Sequence, residues 1–179
     1  VSTEEDVSCR LVIGADGQYS LVARWLGLPY PSQKVSIYAA EVELLSTNEQ
    51  VVKIFLGKRF APGWFAWIIP TGRNLARVGT GVFKQGGFPA GLPGARQLFL
   101  QLVEAHPRSF KDLRVLKCTG GVVPIGLMKR SYGHHALLVG DAACHIKPIS
   151  GGGLYMGLEA ARCCAEAAVS ALKARDYSS

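Results

Sequence analysis

The pattern of apolar and polar positions along the chain predicts an alternation of short strands and helices. An apolar run over residues 9–13 ends at Gly14 and is typical of a buried strand. Ser20 can then cap a helix that stops at Gly27, because glycine is favoured just beyond a helix C-terminus. The same pattern predicts an inward side of this helix with four apolar residues: Leu21, Val22, Trp25 and Leu26.

Residues 34–83 differ in character and predict strands separated by turns. Residues 35–40 alternate in polarity, and three further segments are rich in β-branched and aromatic residues. These segments are residues 51–56, 65–69 and 75–83. Because the turns between them are short, the strands are expected to form an antiparallel sheet.

The last part of the chain predicts helices again. A Gly/Pro-rich segment over residues 86–94 leads to a predicted helix over residues 95–105. Short strands are predicted at residues 117–123 and 136–139. The longest helix is expected over residues 153–175, with a stripe of small and apolar residues that allows close packing against a sheet. The strand–helix pieces at the two ends of the chain therefore predict one shared parallel sheet.

Composition adds constraints on partners. Hydrophobic residues make up 49% of the 179 residues and charged residues 18%, below the typical value of about 25%. The net charge is +7, but the basic residues are scattered, which argues against a nucleic-acid partner. No apolar stretch reaches the roughly 18 residues of a membrane span. The sequence therefore favours a cytoplasmic protein, and peripheral membrane contact stays open.

The cysteines predict neither a disulfide framework nor a metal site. Their number is odd and no CxxC spacing occurs. We expect reduced thiols that act as small buried filler. The five are Cys9, Cys118, Cys144, Cys163 and Cys164.

The clearest candidate for chemistry surrounds Asp141. This carboxylate follows a predicted buried strand, at the edge where open α/β sheets bind ligands, and it can hold sugar or polyol hydroxyls. Glycines at residues 151–153 leave N–H groups unshielded at the N-terminus of the last helix, which suits an anion or a planar heterocycle. Each feature alone is also typical of a turn or a flexible loop. Together they favour a binding site.

Two motifs resemble those of flavoproteins with the p-hydroxybenzoate hydroxylase-like fold. Residues 140–143, Gly-Asp-Ala-Ala, followed by a proline and the glycines, resemble the GD motif of that group. Residues 11–20, Leu-Val-Ile-Gly-Ala-Asp-Gly-Gln-Tyr-Ser, resemble its DG motif. The resemblance implies a mixed α/β fold in which an antiparallel-sheet substrate domain is inserted into an FAD-binding domain. The implied boundaries are 1–30 and 126–179 for the FAD-binding parts and 31–125 for the substrate domain.

The middle of the chain is similar to geranylgeranyl reductases. Residues 64–70, Trp-Phe-Ala-Trp-Ile-Ile-Pro, and 78–81, Val-Gly-Thr-Gly, resemble their aromatic-x-Trp…Pro…Gly-x-Gly pattern, and residues 147–155 resemble their loop beside the flavin. The resemblance implies an FAD-dependent oxidoreductase that reduces carbon–carbon double bonds of an isoprenoid or lipid substrate. NAD(P)H or another reductant would supply the electrons.

Two alternatives stay open. One is an aromatic hydroxylase or halogenase on the same scaffold; halogenases carry Trp-x-Trp-x-Ile-Pro, where this chain has Phe65 first. The other is a nucleotide- or lipid-binding module without turnover.

The family resemblance also implies which residues bind. The cofactor-binding residues would be Asp16, Gly17, Asp141, Pro148, Gly151, Gly152, Gly153 and Leu154. The substrate-binding residues would be Phe65, Trp67, Pro70, Gly79 and Gly81. No catalytic proton donor is identifiable; His145 is a candidate, although a packed histidine is the more favoured interpretation.

One element of the fold has no match in the sequence. None of the 21 glycines forms the GxGxxG turn that binds the pyrophosphate of a dinucleotide. The family places this turn before the DG motif. We therefore expect the chain to be the C-terminal-side part of a Rossmann-like FAD/NAD(P)-binding domain, inactive alone, with the N-terminal half of the same protein as its partner.

Overall fold

The structure, a computed structural model, describes residues 7–45, 48–84 and 93–178. Residues 86–92 of the predicted Gly/Pro-rich segment lie outside these ranges. The described elements follow in chain order as β1 (Val12–Gly14), α1 (Leu21–Trp25), β2 (Gln33–Glu43), β3 (Lys53–Leu56), β4 (Phe65–Gly72), β5 (Leu75–Lys84), α2 (Ala95–Ala105), β6 (Arg114–Ile125), β7 (Tyr132–Gly133), β8 (Ala136–Leu138) and α3 (Leu154–Ala174).

The chain divides into two compact units. The discontinuous unit comprises Val1–Pro31 and Pro124–Ser179, and the continuous unit comprises Ser32–Val123. Each unit has its own sheet and its own buried core, and each is described by itself below.

The discontinuous unit contains a three-stranded sheet in the order β1-β8-β7. β1 pairs with β8 in parallel, with Val12 opposite Ala136 and Gly14 opposite Leu138. This confirms the predicted parallel pairing of the two ends of the chain. β7 joins β8 in antiparallel orientation. A strand of two residues is too short for its apolar pattern to be recognised, and the sequence did not predict it.

Helix α1 begins at the predicted cap, because the Ser20 hydroxyl accepts a hydrogen bond from the Ala23 N–H at 2.9 Å. Its predicted inward side is wrong at two positions, since Leu21 is 49% exposed and Trp25 77% exposed. Ala23 is buried in a cluster with Leu138, and the predicted Val22 and Leu26 pack against this cluster partly buried. A helix of five residues is too short to turn four side chains onto the sheet.

Helix α3 matches the predicted long helix closely, but its apolar stripe is only partly buried. Ala168 is buried, whereas Leu154 is 86% exposed and Leu158 71% exposed. The predicted packing of these two leucines is therefore wrong in the described residues. Both line a groove that is described below.

The continuous unit is built on a five-stranded sheet in the order β3-β4-β5-β2-β6. The pairs β3–β4, β4–β5 and β2–β5 are antiparallel, which confirms the predicted mixed α/β fold class with an antiparallel sheet. Helix α2 has the predicted bounds and packs its buried face on one side of this sheet. The core residues include Ala40, Val42, Ala66, Ile68, Val78, Phe99 and Leu102.

The exposure of most cysteines differs from the prediction. No disulfide joins them. Cys144 is buried, as expected, but Cys9, Cys118 and Cys163 are exposed and Cys164 is half-buried. The reason is their placement: Cys118 lies in the largely exposed first part of β6, and Cys163 on the exposed side of α3.

Two searches over the described residues bear on partners. No helix in these ranges is long and apolar enough to cross a membrane. Within the same ranges, no group of three or more His, Cys, Asp or Glu side chains is placed to hold a metal ion.

Candidate functional site

Asp141 lies in a tight turn that directly follows β8. Gly140, at φ 68°, opens a 3-10 helix (Gly140–Ala143), and Cys144 closes it in the left-handed conformation at φ 56°. The N–H groups of Cys144 and His145 donate to the carbonyls of Asp141 and Gly140 at 3.1 and 3.0 Å. The turn therefore presents the exposed Asp141 carboxylate at the C-terminal edge of the three-stranded sheet.

The glycine-rich loop leads directly into α3. The Gly151 N–H donates to the Lys147 carbonyl at 2.9 Å, and the Lys147 N–H donates to the Gly152 carbonyl at 3.1 Å, which closes the loop. Gly151 is left-handed at φ 68°, a conformation that glycine adopts without strain. Gly153 caps α3 without any side-chain hydrogen bond. The first N–H groups of a 21-residue helix are thus left for another acceptor.

Asp141 and the start of α3 lie next to each other. A Cβ atom at Gly153 would lie 3.3 Å from Asp141 Oδ1, tighter than an ordinary contact. Glycine at this position therefore permits the close approach of the carboxylate to the helix N-terminus. The helix end carries about half a positive charge, which favours this placement of a negative group.

A groove of about 540 Å³ opens at this point of the discontinuous unit. Five of the eight predicted cofactor-binding residues line it: Gly17, Asp141, Gly151, Gly153 and Leu154. Asp16, Pro148 and Gly152 are not in its lining. The lining residues that the sequence did not predict are Ala15, Val139, Gly140, Gly157, Leu158 and Ala161.

Part of this unpredicted lining could have been predicted from the spacing of small residues on α3. Gly157 lies four residues after Gly153, and Ala161 lies eight residues after Gly153, so all three lie on one face of the helix. This face forms a wall of the groove that carries almost no side-chain atoms.

Asp16 is engaged with α1. Its Oδ2 accepts hydrogen bonds from the N–H groups of Leu21 at 2.7 Å and Val22 at 3.3 Å. Partial burial raises the pKa of Asp16, but hydrogen bonds from Ser20, Val22 and Leu21 outweigh this effect and hold the pKa below its ordinary value. Asp16 therefore fixes the turn whose neighbouring residues line the groove.

The groove fits a flavin nucleotide in its chemistry. A flavin has a flat heterocycle and a polyol chain, and it becomes more negative on reduction. The groove offers a wall of glycine backbone, the Asp141 carboxylate as a hydroxyl acceptor, and the uncapped positive end of α3. Leu154 and Leu158 add apolar contact area.

In the continuous unit, aromatic side chains lie directly on the backbone of β5. A Cβ atom at Gly79 would clash with the Trp67 ring, and a Cβ atom at Gly81 would clash with the Trp64 ring. The Phe65 ring lies 5.1 Å from that of Trp64 and 5.7 Å from that of Trp67, measured between ring centroids. The structure thus brings four of the five predicted substrate-binding residues into one aromatic surface: Phe65, Trp67, Gly79 and Gly81. The fifth, Pro70, lies at a shift in the β4–β5 register.

A pocket of about 320 Å³ adjoins Trp67. Of the predicted substrate-binding residues, only Trp67 lines it, together with Ala39, Ala40, Glu41, Ile69, Arg77, Lys117 and Thr119. Arg77 Nη2 lies 3.2 Å from Glu41 Oε1, across the β2–β5 pair. The sequence missed these charged residues, although strand alternation places Arg77 and Gly79 on the same face of β5.

His145 lies outside the groove and faces another cleft. Its Nδ1 atom is buried and has no hydrogen-bond partner among the described residues. Burial lowers the pKa of His145, so the ring stays neutral at neutral pH. The cleft, of about 450 Å³, is lined mostly by β8 and α3. Nothing in this placement gives His145 a role at the groove.

The match to a known family lies in the continuous unit. Residues 34–123, about half of the chain, match the family model described as the geranylgeranyl reductase catalytic domain. The chain belongs to the geranylgeranyl reductase family. The matched region contains β3 to β5, α2 and nearly all of β2 and β6, and with them the aromatic surface and the pocket beside Trp67.

Curated relatives extend this family match to nearly the whole chain. A digeranylgeranylglycerophospholipid reductase of Methanosarcina mazei is 32% identical over 98% of the chain and 43% of its own length. Digeranylgeranylglycerophospholipid reductase 2 of Methanothermobacter thermautotrophicus is 31% identical over 94% of the chain and 43% of its own length. The chain thus spans less than half of the length of these relatives.

Solved structures agree with the fold. A geranylgeranyl bacteriochlorophyll reductase-like protein of Thermoplasma acidophilum has a TM-score of 0.83 and 26% identity, over 94% of this chain and 43% of that protein. The halogenase PltM, solved in complex with FAD, has a TM-score of 0.67 over 99% of this chain and 40% of its own, at 17% identity. The second likeness shows a shared fold only. Both confirm the fold class that the motifs predicted for this geranylgeranyl reductase family member.

Proposed function

We propose that the whole protein containing this chain is an FAD-dependent oxidoreductase that reduces carbon–carbon double bonds of geranylgeranyl or related isoprenoid groups. The observation that carries the proposal is the family match over residues 34–123, the region that holds the aromatic surface. The glycine-walled groove supports the cofactor assignment. NAD(P)H or another reductant would supply the electrons, and a lipid substrate would be met by peripheral contact with a lipid surface.

The residues of the groove have three tasks in this proposal. A bound flavin would supply a hydride to the double bond, and a proton from a side chain or water would complete the added pair of hydrogen atoms. Asp141 accepts hydrogen bonds from hydroxyls of the polyol chain. The N-terminus of α3 stabilises negative charge placed against it, by about 0.3–1 kcal/mol when exposed and up to about 2 kcal/mol when partly buried. The bare backbone at Gly153 and Gly157 lets a flat ring lie close to the helix.

The residues of the continuous unit bind the substrate in this proposal. Trp67 and Phe65 offer broad apolar faces, and Gly79 lets the Trp67 ring lie close to the backbone of β5. Such a surface suits an isoprenoid chain, whose recognition depends on apolar area and shape.

The test uses the purified whole protein. Its visible absorption spectrum should show a bound flavin. Reduced anaerobically and incubated with a geranylgeranyl lipid, it should yield products that have gained pairs of hydrogen atoms, as measured by mass spectrometry. A protein without bound flavin would overturn the cofactor assignment. Bound flavin with an unchanged lipid would overturn the reductase assignment, and an oxygen-dependent hydroxylated or halogenated product would assign the other chemistry of this scaffold.

A further inference from the structure

Tyr30 connects the N-terminal segment of the discontinuous unit to the turn that carries Asp141. Its hydroxyl donates a hydrogen bond to the Asp141 carbonyl at 2.5 Å, across 111 positions of sequence. The same carbonyl accepts the Cys144 N–H at 3.1 Å. Both lone pairs of the Asp141 carbonyl are therefore used, one by the turn itself and one by Tyr30.

The turn that Tyr30 contacts needs external support. It begins at Gly140 with φ 68° and ends at Cys144 with φ 56°. The left-handed conformation is unfavourable for a residue with a side chain. Cys144 is 1% exposed, so the surrounding packing fixes this strained end of the turn. The Tyr30 hydroxyl adds a directional bond at the one residue of the turn whose side chain faces the groove.

Tyr30 is suited to remain a donor. Burial, followed by the Cys144 thiol and the negative charges of Asp141 and Asp16, raises the pKa of Tyr30 above its ordinary value. The phenol therefore stays protonated throughout the neutral range. The hydrogen bond to Asp141 does not switch with pH, and its effect on the turn is constant.

The geometry points to Tyr30 as a positioning residue of the cofactor groove. Its hydroxyl holds the backbone of Asp141, and the backbone in turn directs the carboxylate to the place beside Gly153 where a polyol hydroxyl of the flavin would donate to it. This inference rests on the proposed flavin cofactor. Tyr30 is not in the groove lining, and its effect passes through Asp141.

The test compares two tyrosine-to-phenylalanine variants of the whole protein. Tyr30→Phe removes only the hydroxyl, and with it the hydrogen bond to the Asp141 carbonyl and the contact with the Cys144 thiol. We expect the dissociation constant of the flavin to rise about 3- to 10-fold, the loss that a neutral hydrogen bond produces. Tyr177→Phe is the matched control, since the Tyr177 hydroxyl is buried in the same unit and has no partner among the described residues. This control should leave flavin affinity unchanged.

A double-mutant cycle separates positioning from general destabilisation. Asp141→Ala, Tyr30→Phe and the double variant are titrated with flavin, and the visible spectrum of each bound form is recorded. If Tyr30 acts through Asp141, the double variant binds flavin no more weakly than Asp141→Ala alone. Additive losses would overturn the inference, as would wild-type affinity in Tyr30→Phe. If the wild-type protein binds no flavin, the proposed cofactor fails, and the inference fails with it.

Discussion

At the scale of single residues, Gly157 is unfavourable for helix α3 but favourable for the flat wall of the groove. Glycine inside a helix costs about 0.5–1 kcal/mol relative to alanine. A Cβ atom at Gly157 would lie 3.8 Å from the Gly140 Cα, an ordinary contact, so the protein has room for it. The groove wall is therefore the feature of the structure that accounts for glycine at this position.

We predict that Gly157→Ala raises stability and weakens the cofactor site. The midpoint of thermal unfolding should rise in the flavin-free protein, because α3 gains helix propensity. Flavin binding should weaken roughly tenfold, since an added methyl group in a flat wall costs about 1–3 kcal/mol. Calorimetry and flavin titration measure the two effects. Gly121→Ala, at a position with open space, is the control for the added methyl. Unweakened flavin binding in Gly157→Ala would show that the ring does not lie against this wall.

Asp16 leads to a prediction on pH. Because its hydrogen bonds lower its pKa in the folded protein, the ionised carboxylate stabilises the fold above its ordinary pKa of 3.8, and this contribution is lost as the pH falls through the folded value. Asp16→Asn should therefore lower the thermal midpoint near about pH 7, and this deficit should be smaller near about pH 3. Asp112→Asn serves as the control, since asparagine tolerates its left-handed φ of 57°. An equal deficit of Asp16→Asn at both pH values would contradict this role.

At the scale of elements, the β4–β5 pair determines the shape of the aromatic surface. Trp67 lies opposite Gly79 in the register, and its ring occupies the space that a side chain at Gly79 would take. Strand alternation therefore places glycines and aromatic residues on one face, with Ala66 and Val78 of the same strands buried on the other.

We predict that Gly79→Ala impairs isoprenoid reduction while the bound flavin is retained. The new Cβ would displace the Trp67 ring, at a cost of about 1–3 kcal/mol. The rate of lipid reduction and the ratio of flavin to protein absorbance measure the two properties. Gly121→Ala is again the matched control, because it adds the same methyl group to the same unit without a contact within 4 Å. Wild-type rates in Gly79→Ala would contradict the assignment of Trp67 to the substrate site.

The elements also show how far the sequence alone could be interpreted. Helix α2 was predicted with its observed bounds because its apolar residues repeat at helical spacing over three turns. The inward face of α1 is predicted correctly at Val22 and Leu26 but wrongly at Leu21 and Trp25, because five residues contain too little of that repeat. The groove was found through its glycines, whereas Tyr30 was not, since its partner lies 111 positions away. Local spacing reveals backbone requirements, but a contact set by the tertiary fold leaves no local pattern.

At the scale of the whole molecule, the two units depend on chain connectivity in different ways. The discontinuous unit needs both ends of the chain, since β1 pairs with β8 across more than a hundred positions. The continuous unit is formed by one uninterrupted segment, and its described core is shared by α2 and the five-stranded sheet. The candidate cofactor groove and the aromatic surface thus lie on units with different folding requirements.

We predict that the segment Ser32–Val123 folds when it is produced alone. Its β3–β4 and β4–β5 pairs join neighbouring strands, and β2, β5 and α2 also lie within the segment, so most of its core can form without the rest of the chain. Circular dichroism should show β structure, with a cooperative thermal transition. The segment Val1–Pro31 is the control, because β1 has lost its partner strand in it and should remain unfolded. A Ser32–Val123 segment that unfolds without cooperativity would show that its sheet, and the aromatic surface on it, depend on residues outside the segment.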